Sequence, residues 1–126
     1  MAYIKSPDEF GDSIYYISNG VIRQNDEFGN SLYCLNGNYV RENDEFGKTV
    51  FFIDGNRVRK NDEFGEYILY IDGERIKSPD KFGDQIFHIT NERIRKGDEF
   101  GEYTFYINGD ISEKELYMLL AIQTIK

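Results

Sequence analysis

Apolar and polar residues alternate along this chain in short bursts, and the bursts recur every 18 residues. In the stretch from Phe46 to Glu63, Val50-Phe51-Phe52-Ile53 has the β-branched and aromatic content of a strand. Asp54-Gly55 predicts a tight turn with positive φ at both centres. Arg57-Val58-Arg59 alternates and predicts a second strand. Asn61-Asp62-Glu63-Phe64-Gly65 predicts a looser turn. Each period thus reads as strand, tight turn, strand, loose turn: a string of β-hairpins.

The marker of the period is Phe-Gly, at Phe10, Phe28, Phe46, Phe64, Phe82 and Phe100, each after Asp-Glu or, once, Asp80-Lys81. Repetition of this kind sets the architecture before any other feature. With Asp54-Gly55 as turn centre, Phe52 faces Arg57 and Phe51 faces Val58. One face is then apolar in every repeat: Tyr15, Tyr33, Phe51, Leu69, Phe87 and Phe105, with Ile17, Leu35, Ile53, Ile71, Ile89 and Ile107. That face is the predicted core. The other is mixed, with Tyr16, Cys34, Phe52, Tyr70, His88 and Tyr106 beside Arg57, Arg75 and Arg93. Ser18-Asn19-Gly20 predicts a turn shifted by one residue in the first repeat.

Ala2-Tyr3-Ile4-Lys5-Ser6-Pro7 matches a second strand, as in Glu74-Arg75-Ile76-Lys77-Ser78-Pro79. The chain therefore starts half a repeat out of phase. Pairing of Met1–Lys5 with Tyr103–Ile107 would close a ring and remove both free edges. A β-solenoid with one repeat per coil is the rival. It would stack the loop carboxylates in like-charge columns at strand spacing, which is destabilising. The fold class expected is all-β: six 18-residue hairpin repeats over residues 1–111 in a closed radial ring, then a C-terminal helix in 112–126. Ser112-Glu113-Lys114-Glu115 is a capping box. The run Leu116–Ile122 after it is apolar on every side, which predicts a helix buried all round. Leu116, Leu119, Leu120 and Ile122 are expected to plug the ring, cover one end, or meet a second subunit.

The unit Asp-Glu-Phe-Gly-x-x-Ile/Val-Phe/Tyr-x-Ile-Asp-Gly-x-Arg-Ile/Val-Arg resembles the hairpin repeats of bacterial β-flower proteins. In that family hairpins radiate about an axis with four- or five-fold pseudosymmetry. The resemblance covers nearly all of residues 1–111 and implies a fold but no activity.

The 126 residues carry a net charge of −8. That argues against direct binding to nucleic-acid phosphates or to an anionic membrane surface. No apolar run reaches the roughly 20 residues needed to span a bilayer. The single Cys34 and the absence of a signal-peptide pattern after Met1 place the expected location in the cytoplasm.

No motif points to catalysis, a cofactor or a metal. His88 has no second His or Cys ligand in its repeat and reads as a packed strand residue. Cys34 lacks a motif-fixed His. The Asp-Glu turns lack EF-hand ligand alternation and read as turn formers, each Asp bonding nearby backbone N–H groups and leaving the Phe as a small core staple. The candidate ligand site is the stripe of Arg57, Arg75 and Arg93 beside Phe52, Tyr70 and His88, with Tyr106 of the following repeat, where guanidinium and aromatic planes suit anions or nucleobases. The functional expectation is a non-enzymatic interaction module for a protein partner or for self-association. A binder of a small anionic, nucleotide-like ligand is the alternative. An acidic inhibitor of a nucleic-acid-binding partner, of the sort phages encode, is a third.

Overall fold

A computed structural model describes residues 1–125; Lys126, the last residue of the expected helical segment, lies outside the described residues. The strands are β1 (Ala2–Ser6), β2 (Asp12–Ser18), β3 (Val21–Gln24), β4 (Ser31–Asn36), β5 (Tyr39–Glu42), β6 (Thr49–Asp54), β7 (Arg57–Lys60), β8 (Tyr67–Asp72), β9 (Arg75–Ser78), β10 (Asp84–Thr90), β11 (Arg93–Lys96) and β12 (Tyr103–Gly109). One helix follows, α1 (Glu113–Gln123).

Each strand pairs antiparallel with its sequence neighbours, and β1 pairs with both β2 and β12. Ile4 lies opposite Ile107 and Lys5 opposite Tyr106, so the two ends of the chain close a barrel. Antiparallel pairing around the whole circumference excludes the solenoid, which would stack repeats in parallel. The half-repeat offset of the N-terminus is what makes closure possible.

The tight turns sit one residue later than expected. Asp54 pairs with Arg57, and Gly55-Asn56 forms the two-residue loop. Positive φ is needed at the first turn position, where Gly55 has φ 61°. Asp54 is therefore the last strand residue, and Phe52 faces Arg59 rather than Arg57. This moves the pairing by two residues. Side chains alternate with period two, so the predicted faces survive, whereas a one-residue slip would have inverted them. The first repeat obeys the same geometry: Ser18 pairs with Val21 and Asn19 (φ 52°) takes the first turn position. The turn expected there is in place at Asn19-Gly20, but it is no exception, because the other repeats turn at the same position.

Between hairpins the ladder carries a bulge. Val58 faces Leu69 and Arg59 faces Tyr67, which leaves Ile68 as the extra residue, packed toward the core. Equivalent shifts occur on the other seams. Such bulges bend the strands and increase their twist.

Eight strands give a barrel interior that their own side chains can just fill, and diameter grows with strand number. Twelve strands leave space for more. Helix α1 fills it: Met118, Leu119, Leu120, Ala121 and Ile122 are fully buried with Ile4, Ile17, Ile22, Val40, Phe51, Val58, Leu69, Ile76 and Ile94 in one cluster. Burying each large aliphatic side chain contributes about 1.5–3 kcal/mol. The plug is the alternative realised, and Leu119, Leu120 and Ile122 have no surface left for a second subunit. Leu116 is only partly buried.

The helix direction is fixed at its N-terminus. Ser112 Oγ accepts from the Glu115 N–H, and Glu115 Oε1 accepts from the Ser112 N–H, completing the capping box. Glu115 Oε2 also accepts from the Gly20 N–H at 2.8 Å, tying the cap to the β2–β3 turn. The helix thus enters at the tight-turn end. Its last turn lies beside Lys60, Glu66, Ser78 and Pro79, at the Phe-Gly end.

Candidate binding surface

All six Phe-Gly loops lie at one end of the barrel, because strand direction alternates and they connect every second strand pair. Their phenylalanines are not core staples. Phe10, Phe28, Phe46, Phe64, Phe82 and Phe100 are 86–90% exposed. The reason is the turn itself. In each loop the Gly N–H bonds the Asp carbonyl at 2.9–3.0 Å, closing a β-turn with Asp first and Gly last. The Asp Oδ1 accepts the Phe N–H at 2.9–3.0 Å. Phe therefore occupies the third position, at the tip, with its ring in solvent.

Asp and Gly have structural work in this loop. A Cβ on Gly65 would stand 1.6 Å from the Lys60 carbonyl oxygen, and the other five loop glycines meet the equivalent oxygen at 1.6–2.0 Å. Only Gly lets the chain cross itself so closely. The loops are also braced from the outer wall. Arg23, Arg41, Arg59 and Arg95 donate Nη1 to the carbonyls of Gly29, Gly47, Gly65 and Gly101 at 3.0–3.2 Å. Arg59 and Arg95 stack on Tyr67 and Tyr103 at 4.0 and 3.9 Å. A second brace reaches the loop Glu from the preceding repeat: Tyr3 donates to Glu27, Tyr39 to Glu63, and Arg93 to Glu9 at 2.9 Å. The bond to Glu27, and the nearby negative charge, push the Tyr3 hydroxyl up to about 12. Tyr39 is raised by its bond to Glu63 for the same reason.

The result is a crown of six aromatic knobs on pinned loops. It is strongly acidic. The Asp-Glu pairs supply eleven of the chain's 23 carboxylates, with Lys81 the one cation among them. Asp12, Glu66, Asp84 and Glu102 follow the Gly in four loops, and Lys48 in one.

The predicted Arg stripe lies elsewhere, on the outer wall. Arg57 faces Tyr70, Arg75 faces His88, and Arg93 faces Tyr106. The aromatic neighbours are therefore those across the next seam and not those of the same hairpin, Phe52, Tyr70 and His88, because the turn pairs Phe52 with Arg59: the Arg57 guanidinium is 5.6 Å from the Tyr70 ring and that of Arg93 is 5.5 Å from Tyr106. These pairs sit on three successive seams, two strands or roughly 9.5 Å apart, and no described cavity is lined by all three arginines. Arg93 is already paired with Glu9. His88 is buried, its Nε2 3.8 Å from Glu74 Oε1. Cys34 is half-buried, and burial together with Glu45 and Asp44 raises its pKa, away from the reactive thiolate.

The alternation of the wall is apolar inside and charged outside, with Arg23, Arg41, Arg59 and Arg95 outward and Ile22, Val40, Val58 and Ile94 inward. A bilayer-spanning barrel needs the reverse. No helix among the described residues is long and apolar enough to cross a membrane.

Comparison with family models, with curated proteins and with solved structures finds no match.

The crown is the functional candidate that the sequence reading missed. Its signal was present: Phe is identical in six repeats of six, while the core position five residues later is Tyr15, Tyr33, Phe51, Leu69, Phe87 or Phe105.

Proposed function

We propose that the protein is a non-enzymatic binding module whose contact surface is the crown of six phenylalanines. One observation carries this reading: a large apolar side chain is repeated six times at a position where the fold has no use for it. Asp and Gly are required by the loop turn, and the inward apolar residues by the core. The Phe rings stand almost wholly in solvent, and Lys81 over Phe82 at 5.1 Å is the one cation–aromatic contact they make among the described residues. Six exposed aromatic side chains on one rim, each flanked by charged groups, offer a set of anchors to a partner, and aromatic anchors dominate binding energy at interaction sites. Braced loops lower the ordering cost of association.

The test is a photoreactive phenylalanine analogue placed at Phe64 or, as control, at Arg75 on the wall, and activated in the cell of origin. The reading predicts a discrete protein adduct from position 64 only. Equal adducts from both positions, or none from 64, would refute it.

A second reading, an anion held along the wall, has Arg75 in its favour, since this residue is exposed and forms no ion pair among the described residues. Changing Arg57, Arg75 and Arg93 to Gln should then abolish binding of a nucleotide panel at unchanged melting temperature. Absence of nucleotide binding by the parent protein removes this reading.

A further inference from the structure

Resting on the reading of the crown as the contact surface, we infer that its partner is a protein with a basic face bearing apolar pockets. The inference comes from what surrounds each ring. Every Phe is preceded by Asp-Glu or Asp-Lys, and each of the six loops carries at least two carboxylates within two residues of the ring. Seating a ring in a pocket brings those carboxylates to the pocket's edge.

An edge of Lys and Arg gains from that approach. An edge of like charge loses, because like-charge juxtaposition across an interface is strongly unfavourable. This disfavours three other occupants. A second copy meeting crown to crown would face eleven loop carboxylates with eleven more. An anionic bilayer would be repelled in the same way. A neutral bilayer would take the rings only by drawing the adjoining carboxylates into the headgroup layer, and the crown lacks the Trp and Lys/Arg pattern of interfacial anchors.

The six-fold repetition adds a second element. One used knob would leave five positions free to vary, yet all six are Phe. The knobs therefore act together, each adding to the effective concentration of the next. The carboxylates steer the encounter and the rings hold it, so binding should weaken with added salt without vanishing.

The full chain is titrated with three synthetic helical peptides of equal length, built from Leu and Lys, from Leu and Glu, and from Ser and Lys. Vesicles of phosphatidylcholine, with and without phosphatidylserine, complete the set. The inference predicts binding to the Leu/Lys peptide at least about tenfold tighter than to either other peptide, weakened by salt, with no vesicle binding. Replacing all six crown Phe by Ser should remove the preference for Leu/Lys over Ser/Lys. The variant Phe28→Ser, Phe46→Ser, Phe64→Ser should reduce it in part, and covers the case in which the sixfold variant folds poorly. Equal binding of the Leu/Lys and Leu/Glu peptides overturns the inference while leaving the crown as the contact surface. So does vesicle binding that the Phe replacements abolish. Failure to bind the Leu/Lys peptide at all also overturns it. A preference for Leu/Lys unaffected by the Phe replacements refutes the crown itself.

Discussion

Phe46 and Phe51 are five residues apart in one repeat and have opposite fates. Phe46 is 87% exposed at a loop tip, and Phe51 is 1% exposed against the central helix. Across the repeats it is the exposed position that never changes. The buried one accepts Tyr, Phe or Leu. A core needs apolar volume and tolerates exchange among side chains that supply it. An exposed position with no structural duty needs another reason for its constancy, and the proposed contact surface supplies one. In a repeat protein, invariance among internal copies therefore separates two kinds of residue. Asp and Gly of the loop are constant because the backbone demands them, and the constancy of Phe is what the proposed contact surface accounts for.

The comparison breaks most severely at the helix. Leu120→Asp would bury a carboxylate in the apolar cluster at the centre of the barrel, and should cost more than about 4 kcal/mol. Urea denaturation should find the variant unfolded or nearly so. A variant that keeps its stability would mean that α1 is not the plug of the barrel. Next comes Phe51→Ala, which should lower stability by about 3–5 kcal/mol, read from the same denaturation curves. Gly65→Ala probes the loop rather than the core. Its methyl would collide with the Lys60 carbonyl, so one loop must shift, at about 1–3 kcal/mol by analogy with overpacking. Amide exchange should quicken in residues 61–66 alone.

The smallest effect concerns the brace on the crown. The hydroxyl of Tyr3 is raised from 10.0 to about 12, first by its bond to Glu27. A raised folded-state value means that the stabilisation is fully present below pH 10.0 and is lost as pH rises toward about 12. Stability measured across that window should fall more steeply for the parent than for Tyr3→Phe. Identical profiles would mean that the Tyr3–Glu27 brace is absent in solution.

Much of the fold was legible because it depends on local rules. Closure followed from Tyr3-Ile4-Lys5 reading as half a repeat, and the faces followed from period two. The turn centre was misplaced because Asp54-Gly55 resembles a type I′ pair, while the chain needs Gly55 in first place. The helix was legible, but its partner was not: Leu116–Ile122 is apolar all round, and only the width of twelve strands decides that the barrel itself covers it. The crown was misread because an aromatic residue beside a turn normally folds inward. Its outward direction comes from the Asp Oδ1 and Gly bonds that put Phe at the tip. The braces were out of reach of local reading altogether. Arg59 meets Gly65 across a turn, and Tyr3 meets Glu27 across 24 residues.

The central claim is that the six phenylalanines serve contact and not stability. Urea denaturation of the variant with all six changed to Ser tests it most directly. Surface substitutions away from structural features stay within about 0.5 kcal/mol each, in either direction, so the variant should keep a cooperative transition with a midpoint close to that of the parent protein. A midpoint falling by as much as that of Phe51→Ala would show that the rings hold the fold together, and the crown would then be structure and not a binding surface.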